Sequence, residues 1–223
     1  MIAVVGSPIG RRSPAGLRAA GLPVAIARAA VAAGGAAQLV GKLGEGRDGD
    51  AVALSLAADG IGHVALQRVP GAVAIAGADD VRDDASLDGL ADLDGRESAA
   101  PEPVDVIPAG APLDAADLEL ALRYLPDYRV VVLAQLLDPA AREAALDAAR
   151  WAGAEIIVIT GASDGADAGS LDGATVLQAP DDDAEGAFAT LVGGYAAALD
   201  AGTPAGEAFA AASAAVGWAA ISD

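Results

Sequence analysis

The 223 residues are more than half apolar and hold only seven aromatic side chains, one His and one Met, so the core of a single domain over 1–223 must come from Ala, Val and Leu. The 32 acidic groups outnumber the 13 basic ones for a net charge of −19, a field that repels polyanions and argues against nucleic acid or an anionic membrane surface as partner. Cysteine is absent, which excludes disulfides, thiolate metal sites and cysteine nucleophiles.

The chain opens on "MIAVVGSPIGRRS", whose apolar part is too short and whose charges lie on the wrong side for a signal peptide. No apolar run approaches the ~20 residues of a membrane span, and a cytoplasmic protein is expected. "IAVV" (2–5) predicts a short buried strand ending in Gly6. "PVAIARAAVAAGG" (23–35) predicts a helix with Pro at its start and Gly at its end. "AAQLVGKLG" (36–44) follows as a strand and turn, and this strand, helix, strand order argues for parallel pairing. "DGDAVALSLAADG" (48–60) predicts the next helix, capped by Asp48 or Asp50 and stopped at Gly60.

Residues 61–112 differ in texture. "HVALQRV" and "AVAIAGA" suit edge or lid strands, with residues 63–76 a candidate homodimer contact, and the Asp-rich stretch after them is expected to be a solvated loop. Regular structure resumes with a helix over 114–125, a buried strand over 128–137, a helix over 138–153 capped by Asp138 with Pro139 at its first position, and a buried strand over 154–161. Continuous apolar strands alternating with amphipathic helices predict a three-layer α/β/α sandwich around a mostly parallel sheet. A glycine-rich connection then leads to two closing helices. In the first, Ala184, Phe188, Leu191, Tyr195 and Leu199 form one apolar stripe over 184–200, and Thr203 and Pro204 start the second, which runs through 218.

"EGAFATLVGGYAAALDAGTPAGEAFAAASAAVGWA" (185–219) resembles the C-terminal signature of the ribokinase-like, or PfkB, carbohydrate and nucleoside kinases, and "VGKLGEGRDGDAVALSLAADGI" (40–61) resembles an N-terminal stretch of the same family. The resemblance covers roughly residues 2–76 and 128–221. It implies the ribokinase-like fold with a reduced β lid, and ATP with Mg²⁺ if any family activity remains. In the family, a Gly-Ala-Gly-Asp turn at a helix start forms an anion hole, and its Asp takes the proton from the substrate hydroxyl. Registering the shared Ala-Phe pair puts Asp183, Ala184, Glu185 and Gly186 on these positions, so the catalytic Asp is replaced by Gly186.

The same register places carboxylates where the family holds phosphate, and each like charge at ~5 Å costs ~3 kcal/mol at an effective dielectric of 20. Asp182 and Glu185 also have the spacing of a capping box, which would satisfy the helix start without a ligand. Near the family's sugar-binding Asp stands Arg11, "AGLPVAI" lacks the family's Asn, and no Asn-x-x-Glu motif is present. "ITGASDGADAG" (159–169) resembles a remnant of the approach to the nucleotide, which makes Thr160 and Gly161, with Asp183 and Ala184, the candidate nucleotide contacts.

The combined losses predict a homologue without phosphotransfer that acts as a ligand-binding, regulatory or partner module. The alternatives are an active kinase with Glu185 as a displaced base and a purely structural dimerising subunit. Arg11 and Arg12, after a strand end where parallel sheets bind ligands, are the candidate anion contacts. Lys42, the single lysine, has a surface or turn role. The lone His63 is a strand residue, Trp151 and Trp218 fill a core or an interface, and the acidic run Asp79, Asp80, Asp83 and Asp84 is solvated. Two origins are open for the acidity, with 24 Asp and one Lys: a cytoplasm at molar salt, where the Debye length is ~3 Å, or a GC-rich codon bias.

Overall fold

The computed structural model describes residues 1–14, 16–71, 73–76, 112–161, 171–180 and 186–218. The elements in chain order are β1 (Ile2–Val5), β2 (Ile9–Ser13), β3 (Gly16–Ala20), α1 (Leu22–Ala32), β4 (Ala37–Gly44), α2 (Arg47–Ala58), β5 (Gly62–Val69) and β6 (Ile75–Ala76), then α3 (Ala115–Tyr124), β7 (Val130–Leu133), α4 (Pro139–Ala152), β8 (Glu155–Thr160), β9 (Ala174–Gln178), α5 (Ala187–Asp200) and α6 (Ala205–Ala215).

Six strands form one sheet in the order β5-β4-β1-β7-β8-β9, every neighbouring pair parallel. The strands are apolar on both faces because both are covered. Ile2, Val4, Val130, Val132, Ile157 and Ile159 face the cluster that includes α1, α2 and α5. Their alternate neighbours Ala3, Val5, Val131, Leu133, Ile156 and Val158 face α3 and α4. This two-residue alternation makes the predicted three-layer architecture. The predicted stripe on α5 is likewise buried at Phe188, Leu191, Tyr195 and Leu199. Tyr195 meets Phe209 of α6 edge to face, with ring centroids 5.5 Å apart.

Two helix starts follow their sequence signals. Asp138 accepts from the Ala141 N–H at 2.8 Å with Pro139 opening α4, and Asp114 forms a reciprocal capping box with Asp117 on α3. The start of α2 does not. It is capped by neither Asp48 nor Asp50 but begins after Gly46 without a side-chain cap, so that both acids lie in the first turn and Asp50 pairs with Arg68 at 2.5 Å.

Of the edge and lid alternatives, "HVALQRV" takes the first as β5, an edge strand of the central sheet paired with β4, while "AVAIAGA" supplies β6 to a second sheet. This separate three-stranded sheet, β3-β2-β6, is built mainly from the hairpin Ile9–Ala20, where no element is expected from the sequence. Of the candidate dimer contact 63–76, only β6 belongs to this small sheet, whose other strands, β2 and β3, lie outside it. Strand β9 lies in what reads as a connection, and pairs with β8 over Ile156–Thr160. Trp151 is 93% exposed and Trp218 47% exposed, so neither fills the core. On α4 the inward positions are Ala141, Ala145, Leu146 and Ala149, and Trp151 falls off that stripe. His63 is on β5, as expected. The run Asp79, Asp80, Asp83 and Asp84 lies outside the described residues.

Lys42 has a structural role. Its ammonium meets the Asp117 carboxylate at 2.5 Å and donates to the Pro112 carbonyl at 3.1 Å, fastening α3 to β4. Burial pushes the Asp117 carboxyl up, but hydrogen bonds from Lys42 and the Asp114 backbone together with the Lys42 charge outweigh it and hold the group below its ordinary 3.8. A depressed folded pKa adds stability above pH 3.8 that is lost as pH falls through the lower folded value. Lys42→Met is expected to cost about 2 kcal/mol at pH 7 and to flatten that acid dependence, as read by denaturant titration at pH 7 and pH 3.

Candidate functional site

The first three strands of the sheet run outward from β1 to β4 to β5, and the remainder run the other way from β7 to β8 to β9. The order reverses between β1 and β7, and ligands of open parallel sheets bind at the carboxyl ends beside such a reversal. Ser7, only 4% exposed, ties these ends together: its N–H donates to the Gln135 side-chain oxygen at 2.8 Å, and its hydroxyl accepts from the Lys42 N–H at 3.0 Å.

From this edge the chain enters the β2–β3 hairpin and then α1, and a cleft of about 750 Å³ opens between the hairpin, the start of α1 and the start of α5. Its walls carry Arg11, Ser13 and Arg18 from the hairpin, Leu22, Ala25 and Arg28 from α1, and Gly186 and Ala189 from α5. The volume is within the range of small-molecule sites.

Three arginines converge here. Arg11 stands directly opposite Arg18 in the antiparallel register. Asp59, just past the end of α2, accepts from Arg18 at 3.0 Å and from Arg28 at 2.6 and 3.1 Å. Among the described residues no carboxylate pairs with Arg11. Period two along β2 turns Arg12, paired with Leu17, to the other face, so the two candidate anion contacts part and only Arg11 lines the cleft.

The start of α5 contributes backbone rather than side chains. Gly186 is the cap residue, left-handed at φ 69° with no side-chain cap, and Thr190 Oγ1 donates back to its carbonyl at 2.8 Å. The start of α1 at Gly21 also lacks a side-chain cap, so two helix N-termini meet the same cleft. Asp182, Asp183, Ala184 and Glu185, and with them the acidic capping box and the displaced base, lie outside the described residues.

Thr160 ends β8 and Gly161 follows it; the Thr160 carbonyl accepts from Ala179 N–H at 2.8 Å, and neither residue lines this cleft. The described walls of the cleft carry no carboxylate, so the described part of the cleft does not by itself fit Mg²⁺. The cleft can hold and orient a polar molecule, but the described walls offer no carboxylate or imidazole to move a proton. Arg18 and Arg28 are the cleft-lining cations that sequence reasoning missed. The Ser-Pro-Ala-Gly turn at 13–16 was the available signal, since a hairpin closed there sets Arg18 against Arg11.

No protein family's sequence pattern matches this chain, and no curated protein matches it. Solved structures do. The crystal structure of aminoimidazole riboside kinase from Salmonella enterica is similar over 100% of this chain and 94% of its own, at 16% identity and a TM-score of 0.60. The ribokinase of Arabidopsis thaliana, complexed with ribose and ATP, is similar over 96% of this chain and 90% of its own, at 16% identity and a TM-score of 0.58.

Proposed function

We propose, from the ribokinase-like fold that this chain has, that it is a homologue of the PfkB carbohydrate kinases that has lost phosphotransfer and keeps its lid cleft to bind a polyhydroxylated small molecule, as a ligand-binding or regulatory protein of the cytoplasm. The observation that carries this reading is Gly186. It stands at the cleft, at the start of α5, and has no side chain, and registering the shared Ala-Phe pair puts it on the position of the family's proton-accepting Asp. Losing a general base typically removes 10²- to 10⁴-fold of rate.

The first experiment is calorimetric titration with Mg·ATP in concentrated KCl, combined with an ADP-release assay over a panel of sugars and nucleosides. No ADP release above background supports the reading, and turnover at a rate typical of such kinases overturns it. If Glu185 serves as a displaced base, wild type will turn over and Glu185→Gln will not.

Restoring the missing carboxylate is a second test. A Cβ at residue 186 meets nothing within 4 Å among the described residues, which accommodate Gly186→Asp, and the left-handed backbone at φ 69° limits its cost to about 1 kcal/mol because Asp tolerates that region. The variant is expected to fold and to remain inactive, because Arg11 near the family's sugar-binding Asp and the missing Asn are untouched. Phosphorylation by Gly186→Asp would show instead that a single missing base accounts for the loss.

A further inference from the structure

We infer that the ligand of the lid cleft is an anion-bearing sugar, held through its phosphate or carboxylate by Arg11, Arg18 and Arg28. The inference rests on the reading of the cleft as a binding site and adds the chemical class of what it takes.

Three observations point the same way. The chain has 12 arginines among 223 residues and a charge of −19, yet three of the 12 line one cleft whose described walls carry no acid. Asp59, which is not among these walls, pairs with two of the three, and the positive charge left over carries an electrostatic cost unless something negative is received there.

The register is the second observation. Arg11 and Arg18 are directly opposed on β2 and β3, where like charges destabilise a hairpin. Asp59 compensates Arg18 and Arg28 but is a single carboxylate, so the three guanidiniums keep a net positive charge. An anion seated between Arg11 and Arg18 would remove the repulsion, and their planar donor forks suit a phosphate or carboxylate.

The third is the rest of the wall. Beyond the arginines lie Ser13, Leu22, Ala25, Gly186 and Ala189, a small and mostly uncharged surface that leaves room for a sugar body. The charged end of the ligand is thereby assigned to the hairpin and its neutral end to the start of α5.

Calorimetry with ribose, ribose 5-phosphate and ribonate, at two salt concentrations, tests this. At least one of the two anions is expected to bind at least ten-fold more tightly than ribose, more weakly as salt rises. Whichever binds better identifies phosphate or carboxylate as the recognised group. Arg11→Gln, an exposed position without an ion pair among the described residues, is expected to fold and to cut that preference about ten-fold; Arg18→Gln is the independent second variant.

Equal binding of all three compounds, or a preference that survives both variants, overturns the anion assignment while the binding reading stands. Binding of none by folded protein overturns both. ATP-dependent turnover overturns only the loss of phosphotransfer.

Discussion

Gly193→Ala is expected to destabilise the protein by about 3 kcal/mol or more, although alanine is the better helix former by ~1 kcal/mol. Gly193 is buried in the middle of α5, where that helix crosses α1. A Cβ there would come within 2.5 Å of the Ala29 Cβ, 2.6 Å of the Ala30 nitrogen and 2.7 Å of the Ile26 carbonyl oxygen. Two of these three atoms are backbone, so no rotamer change relieves the overlap, and the helices must separate.

For a chain of this size, 3 kcal/mol corresponds to a Tm lower by roughly 6–12 °C. Gly194→Ala is the control. Among the described residues its Cβ would meet only Ala212 Cβ at 3.9 Å, an ordinary contact, so helix propensity decides and the substitution is expected to be neutral or stabilising by up to ~1 kcal/mol. Thermal melts of the two variants side by side check both signs. Equal stability of the pair would mean that α1 and α5 do not approach as closely as described.

Phe188→Ala has the second large effect, a loss of about 3–5 kcal/mol. Phe188 is 3% exposed in the first turn of α5 and belongs to the main core cluster, while the next residue, Ala189, lines the cleft. Removing the ring leaves a cavity under the wall of the site, so ligand affinity is expected to fall together with stability. Phe188→Leu keeps most of the volume and is expected to cost less than ~1.5 kcal/mol. Denaturant midpoints measure the stability, and calorimetry on the leucine variant reads binding where folding is not limiting. A tolerated Phe188→Ala would show that α5 is not anchored at its start.

The layering was legible because it depends on long-range regularities of pattern. "VVVL" and "EIIVIT" are apolar at every position, as only strands covered on both faces need to be, and Asp138-Pro139 announces α4 by the local chemistry of a cap. The misreadings share a physical origin. "IGRRS" and "GLRAA" alternate too briefly, and carry too much charge, for periodicity to show, and only their pairing with each other and with β6 makes them strands. "ATVLQ" is a half-exposed edge strand that owes its existence to β8.

Strand β5 mixes polar and apolar residues because it lies at the sheet edge, the texture that a lid strand also has. For the site, the sequence marks Gly186 and Arg11 through resemblance, but cannot bring in Arg28. On a helix, Arg28 looks solvent-facing, and only the fold places it beside Ala19 and Asp59.

The central position of β1 also bears on how the chain is made. Residues 2–5 emerge from the ribosome before either of their neighbours in the sheet, residues 37–40 and 130–133. Until the second of these has left the exit tunnel, one edge of the most buried strand has no partner and the nascent chain cannot close its sheet. Parallel pairing across that separation also slows folding, because the intervening loop must close before the contact forms. In a cell, the first half of the chain must therefore be kept from associating with other chains while the second half is synthesised.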